Sequence, residues 1–342
     1  MISIRDTFVC FSEVFLVLSL LCLGSPAVAE EWINPNGGNF GTGSNWDPPT
    51  VPSFSDDAVF DLDAAYTVDF NQDFENESLL INQGEVTFDL NQQVYELTDN
   101  QFLEFSIAVG QESGDDATLS IIDGQLIGVR SSIGTDDGAE GMVAVGGAGA
   151  EWTNEVLFVG GGDPFPGGTG TLEITGGGTV TNNTGRIANV QGSSGEVTVS
   201  GAGSMWDSNF HSVGHAGTGT MDINAGAMVD TLGSTIGFES GSNGTATVSG
   251  AGSTWSIAQV DAFRVGRDGT GTLKIEDEGT VESNGSQIAV GEDSSGMVTV
   301  SGADSIWTNS GQFIVGDDGD GTLTIEDGRA MVNAARKFKR IV

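Results

Sequence analysis

The chain has 342 residues, 53 of them glycine, and its 48 acidic residues against 11 basic ones give a formal net charge of −37. Such a balance lacks the clustered basic surface needed for nucleic acid or an anionic membrane. Its 38% of hydrophobic residues recur at regular intervals, which separates it from disordered acidic chains.

Residues 1–29 have the pattern of an export signal. Arg5 gives a positive start, residues 14–23 an apolar run, and Ala27, Val28 and Ala29 a small-residue cleavage site before Glu30. The run is shorter than the ~20 residues of a spanning helix, and Leu21 is too large to precede a lipidated Cys22. Both cysteines, Cys10 and Cys22, fall inside this segment. The mature chain is therefore expected to be secreted or at a bacterial cell surface, stabilised without disulfides or thiolate-bound metals. Residues 30–78 are expected to form an N-terminal cap with irregular strands.

Residues 79–328 repeat. Trp152, Trp206, Trp255 and Trp307 recur at intervals close to 50 residues, and each of the last three follows a Ser-Gly-Ala-(Gly/Asp)-Ser-x motif. Every unit divides into halves of about 25 residues, each with three short alternating segments punctuated by Gly, Ser, Asn and Asp, which is strand patterning. The first segment is the sharpest test. Its alternate residues form nine pairs from Leu119/Ile121 through Val197/Val199 and Leu273/Ile275 to Leu323/Ile325, and all eighteen are apolar, while the residues between them are mixed. One wet and one apolar face in nine successive coils predicts an all-β fold, a single-stranded parallel β-helix of about nine or more ~25-residue coils.

Alternation places the tryptophans inside, one in every second coil, with Val180, Val229 and Val281 between them. The competing arrangement is an exposed aromatic ladder gripping sugar rings. Aligned on the third segment, the outward column is expected to contain Ala108, Ser132, Phe158, Ala188, Ser212, Thr235, Arg264, Ala289 and Ile314. Arg264 is its one basic member and it has no acid, so it lacks the acid–base pair that polysaccharide cleavage needs. Asp61 and Asp63 are an early acidic pair. His211 is placed in a column of mostly Ile, Phe and Leu, and His215 in a turn. Outward Thr-x-Thr, as on an ice-binding face, is complete only at Thr245/Thr247 and Thr322/Thr324.

Acids gather at the turn after the third segment, and Asp317, Asp318 and Asp320 form the best candidate Ca²⁺ site, since flexible oxygen-rich turns suit that ion. They match no complete calcium-loop motif. Solvated turn aspartates are the simpler reading.

Segments of the form Val-Thr-Val-Ser-Gly-Ala-Gly-Ser-x-Trp, followed by Val-Gly and then Gly-Thr-Gly-Thr-Leu-x-Ile, resemble the passenger repeats of adhesin-like bacterial autotransporters and of planctomycete-type secreted proteins. The resemblance covers about residues 118–326, and residues 32–60, with Asn45-Trp46 and Val51-Pro52, look like the start of such proteins. It implies an exported surface β-solenoid, structural or adhesive and without enzymatic activity, whose partners are cell-surface or matrix glycans or proteins. The alternative is a carbohydrate-active β-helix enzyme, a polysaccharide lyase or glycoside hydrolase. Residues 1–342 contain neither the membrane barrel nor the sorting tail such proteins carry, and residues 329–342 are an atypical basic tail that looks foreign to the repeat, the pattern expected of a truncated chain or of an end cap.

Overall fold

The computed structural model describes residues 29–98, 105–162, 167–260, 262–327, 329–332 and 336–338. The predicted export signal lies outside them, except for Ala29. The described chain winds into a β-solenoid of about 11 turns. The first segments of the coils form one wall of twelve strands, stacked in chain order from Gly38–Asn39 and Ala65–Asp69 to Ser295–Ser301 and Asp320–Glu326. Neighbours in this wall are parallel and in continuous register. The second and third segments make two further walls. In the middle of the rod a single bent strand runs through both, as in Ala150–Val159, Thr179–Ile187, Met205–Val213 and Met228–Ile236.

Sixteen of the eighteen predicted inward residues are fully buried. The exceptions are in Asp320–Glu326, where Leu323 is half-buried and Ile325 is 47% exposed. Among the described residues that strand has a first-wall neighbour on one side only, which leaves its inward side chains less covered.

The tryptophans are 0–1% exposed and lie in one internal column, Trp152–Val180–Trp206–Val229–Trp255–Val281–Trp307. An adjacent column alternates in phase with it: Leu157, Gly185, His211, Ser234, Phe263, Ser286, Phe313. Each tryptophan thus shares its coil with a second bulky side chain, and each valine with glycine or serine. The ring pairs are Trp206–His211 at 3.9 Å, Trp255–Phe263 at 5.3 Å and Trp307–Phe313 at 5.2 Å. Strands 4.8 Å apart give no room for two such pairs in direct succession. The period is therefore two coils. It also corrects the column expected for His211, which alternates large with small and is not uniformly aliphatic or aromatic.

Glycine is concentrated where the walls crowd. The second residue of the first-wall strand is glycine in eight successive coils, Gly141 to Gly321. A Cβ there would lie within 2.1–2.5 Å of backbone atoms of the preceding third wall, for example 2.1 Å from Val213 O at Gly244. The serine two residues before Trp206, Trp255 and Trp307 is buried too. Gly177 N–H donates to Ser204 Oγ at 3.1 Å, Gly226 N–H to Ser253 at 2.9 Å and Glu278 N–H to Ser305 at 3.1 Å, tying each motif to the turn of the preceding coil.

Both flanks of the repeat differ from the expected boundaries. Parallel stacking begins before Leu79, since Asp57–Phe60 pairs with Ser78–Ile81 and Ala65–Asp69 with Gln83–Asp89. The antiparallel pair Trp32↔Trp46 closes this end over a cluster of aromatic rings. At the other end the basic tail continues the ladder, with Arg329–Val332 on Ile306–Asn309 and Arg336–Phe338 on Phe313–Val315.

Candidate functional site on the third wall

The third wall is set by a sharp corner. From Ile107–Val109 onward a residue in the left-handed region ends it in each coil: Gly110, Gly134, Gly160, Ala188, Gly214, Gly237, Gly266, Ala289 and Gly316, with φ between 54° and 81°. Glycine adopts this conformation freely, and two coils use alanine instead. That substitution displaces the expected column. The strand residues facing outward are Ser132, Phe158, Arg186, Ser212, Thr235, Arg264, Gln287 and Ile314. Arg186 and Gln287 stand where Ala188 and Ala289 were expected, because Ala188 and Ala289 are themselves the corners.

The correction changes the chemistry of this face. All but two of the chain's acidic residues (Asp6 and Glu13) lie between Glu30 and Asp327, yet none of them occupies an outward position of the third wall from Ile107–Val109 to Phe313–Val315. Five basic residues lie in the same span. Arg130, Arg186 and Arg264 are on this wall, Arg267 is at its corner, and only Lys274 is elsewhere, on the first wall.

Each arginine is oriented by a neighbour. The Arg130 guanidinium lies between the rings of Phe105 (4.9 Å) and Phe158 (5.2 Å), in a small apolar cluster outside the main core. Arg186 donates from Nη1 to Asn189 Oδ1 at 3.3 Å and Arg264 from Nε to Gln287 Oε1 at 3.2 Å. Beside them runs a stack from three successive corners: the His215 ring on that of Phe238 with centroids 4.4 Å apart, and the Arg267 guanidinium over the Phe238 ring, 4.1 Å from its centroid. Ser212 and Thr235 form the floor, 6% and 5% exposed although they point outward. On the far side Phe210 is 49% exposed, packed over Gly233.

A histidine–carboxylate contact and an ion pair edge the wall. His215 Nε2 is 3.8 Å from Glu239, and its Nδ1 is 3.0 Å from Ser212 Oγ. Arg267 Nε is 3.3 Å from Asp268. Ser212, His215 and Glu239 thus form a hydroxyl–imidazole–carboxylate chain, although the hydroxyl is nearly closed to solvent. Sequence spacing alone did not join Glu239 to His215, because the contact depends on coil register.

His211 is a core residue, with neither ring nitrogen hydrogen-bonded, and burial lowers its pKa to about 3. The two histidines are therefore in different environments, one inside and one at a corner. Asp317 is half-buried, and Asp318 and Asp320 are exposed at a turn and a strand start. Among the described residues no three His, Cys, Asp or Glu side chains converge closely enough to hold a metal ion. Asp63 lines a shallow depression on the first wall with Glu85 and Asp116, and Asp61 is not part of its lining. Asp136, at an acidic turn, has its carboxyl pKa raised by burial and then by Asp115.

No protein-family model matches the chain, and comparisons with characterised proteins and with solved structures give no match either. Among the described residues no helix is long and apolar enough to cross a membrane.

Proposed function

We propose that this is an exported, elongated β-solenoid with a structural or adhesive role at a bacterial surface. The observation that supports it is the uninterrupted ladder, which carries the same outward columns past coil after coil. Weak contacts repeated along a rigid rod add by multivalency. The resemblance to autotransporter-type passenger repeats points the same way. The second reading, a carbohydrate-active enzyme, draws on His215 with Glu239 and Arg267 with Asp268, charged and titratable groups at three successive corners of the wall that carries Arg264. Binding and turnover on a polysaccharide array, using the chain from Glu30 with and without Ca²⁺, separate the two. Retention on a glycan or cell surface without turnover is the expected result, and turnover of any glycan overturns the adhesive reading.

A further inference from the structure

We infer that the third wall, along Arg186, Ser212, Thr235, Arg264 and Gln287, binds a carboxylate-bearing polysaccharide. This rests on the adhesive reading above and names its ligand class. The first argument is charge. In a chain of −37, three of the five basic residues between Ile107 and Val315 lie on third-wall strands whose outward positions in that span carry no acid, and a fourth, Arg267, is at the corner beside them. Of the carboxylates at the adjoining turns, Asp268 lies 3.3 Å from Arg267 and Glu239 lies 3.8 Å from His215.

The second argument is donor supply. Among the described residues Arg186 and Arg264 make no ion pair, and each has one hydrogen bond to a side-chain amide oxygen. A guanidinium has five N–H donors in a fork that fits a carboxylate, so an incoming carboxylate finds most of them available. Asn189 and Gln287 hold the forks in place without neutralising them, whereas aspartate or glutamate there would quench the site.

Geometry supplies the third argument. Arg186 and Arg264 are three strand steps apart in one column, about 14 Å along the rod, with the hydroxyls of Ser212 and Thr235 between them. The His215–Phe238–Arg267 stack borders one side and Phe210 the other. A polyuronate presents spaced carboxylates, hydroxyls and apolar ring faces, which answer the guanidinium, hydroxyl and aromatic elements of the wall. The rest of the molecule repels a polyanion. At physiological salt, however, charges farther than about 8 Å are largely screened, so the local wall decides binding and the other faces fix the orientation.

The test uses the full chain from Glu30 and polygalacturonate, with its methyl-esterified form and neutral dextran as controls. The expected result is binding to polygalacturonate that weakens with added salt and is lost on esterification. Arg186→Gln and Arg264→Gln should each weaken it by about tenfold or more, with an unchanged melting temperature. Lys274→Gln, the same charge change on the first wall, should leave it unaltered. No binding to polygalacturonate, equal loss with Lys274→Gln, or equal binding of the ester overturns the inference. Binding of neutral glycans that ignores both arginine substitutions would sink it while leaving the adhesive reading standing.

Discussion

The two ends of the folding problem are solved differently in this molecule. In the N-terminal coils the interior is a non-repeating cluster in which Trp32, Phe40, Trp46, Phe60, Phe70, Phe88 and Tyr95 meet at varied angles. In the central coils it is a set of straight columns. The cluster closes an end, where an irregular chain must cover the first coil and satisfy its own donors, as Trp46 Nε1 does on Phe40 O at 2.8 Å. The columns propagate, and each coil needs only its two neighbours. Irregularity terminates the stack and periodicity extends it.

The largest effect that would break this contrast is the loss of a buried ring. Trp46→Ala and Trp255→Ala should each cost about 3–5 kcal/mol, but in different places. By amide hydrogen exchange, the first should loosen the coils before Leu97, and the second the coils around Val229 to Val281. A uniform loss of protection along the rod in both variants would show one cooperative unit instead of a chain of coupled coils. Next comes the glycine column. Gly244→Ala puts a Cβ 2.1 Å from Val213 O and 2.6 Å from Gly237 N, and should destabilise by about 3 kcal/mol in chemical denaturation.

His211 sharpens the comparison through pH. In the fold it stays neutral down to about pH 3, whereas the unfolded chain takes up a proton below the ordinary 6.5. Between those values the unfolded state binds more protons, so this residue's contribution to stability falls as pH falls. His211→Phe, which matches Phe263 and Phe313 in the same column, should stabilise the protein, by about 2 kcal/mol more at pH 5 than at pH 8. The raised carboxyls of Glu30 and Asp136 act with the opposite sign, so the measurement is the difference between variant and parent. A difference that does not change with pH would contradict the buried, neutral assignment. The smallest effect is Ser253→Ala, which leaves Gly226 N–H without its acceptor and should cost about 1 kcal/mol.

Much of the fold could be read from residue order alone. Pairs such as Leu172/Ile174 face inward because strand alternation leaves an apolar residue nowhere else to go, and Glu151 before Trp152 already set the direction of the tryptophan. What escaped was register near a corner. In Ile288-Ala289-Val290-Gly291 the Val-Gly pair imitates the usual corner two residues late, and the true corner carries an alanine at φ 55°. That single ambiguity kept Gln287 out of its place beside Arg264, as Ala188 did for Arg186. The pairing of His215 with Glu239 was hidden for a related reason, since their coils meet through stacking and not through proximity in the chain. The backbone continuation through Arg336–Phe338 was obscured by composition: a basic segment can carry strand hydrogen bonds as well as an acidic one, because the ladder is made by the main chain.

The alternation of tryptophan and valine also imposes a parity rule on how such a rod can change length. Inserting or deleting one coil would bring two tryptophan layers face to face, or two valine layers with a void between them. Adding or removing a pair preserves the alternation. The quantum of growth is therefore two coils, roughly 10 Å of rod, and a gene of this kind can lengthen by duplicating about 50 codons at a time without redesigning its interior.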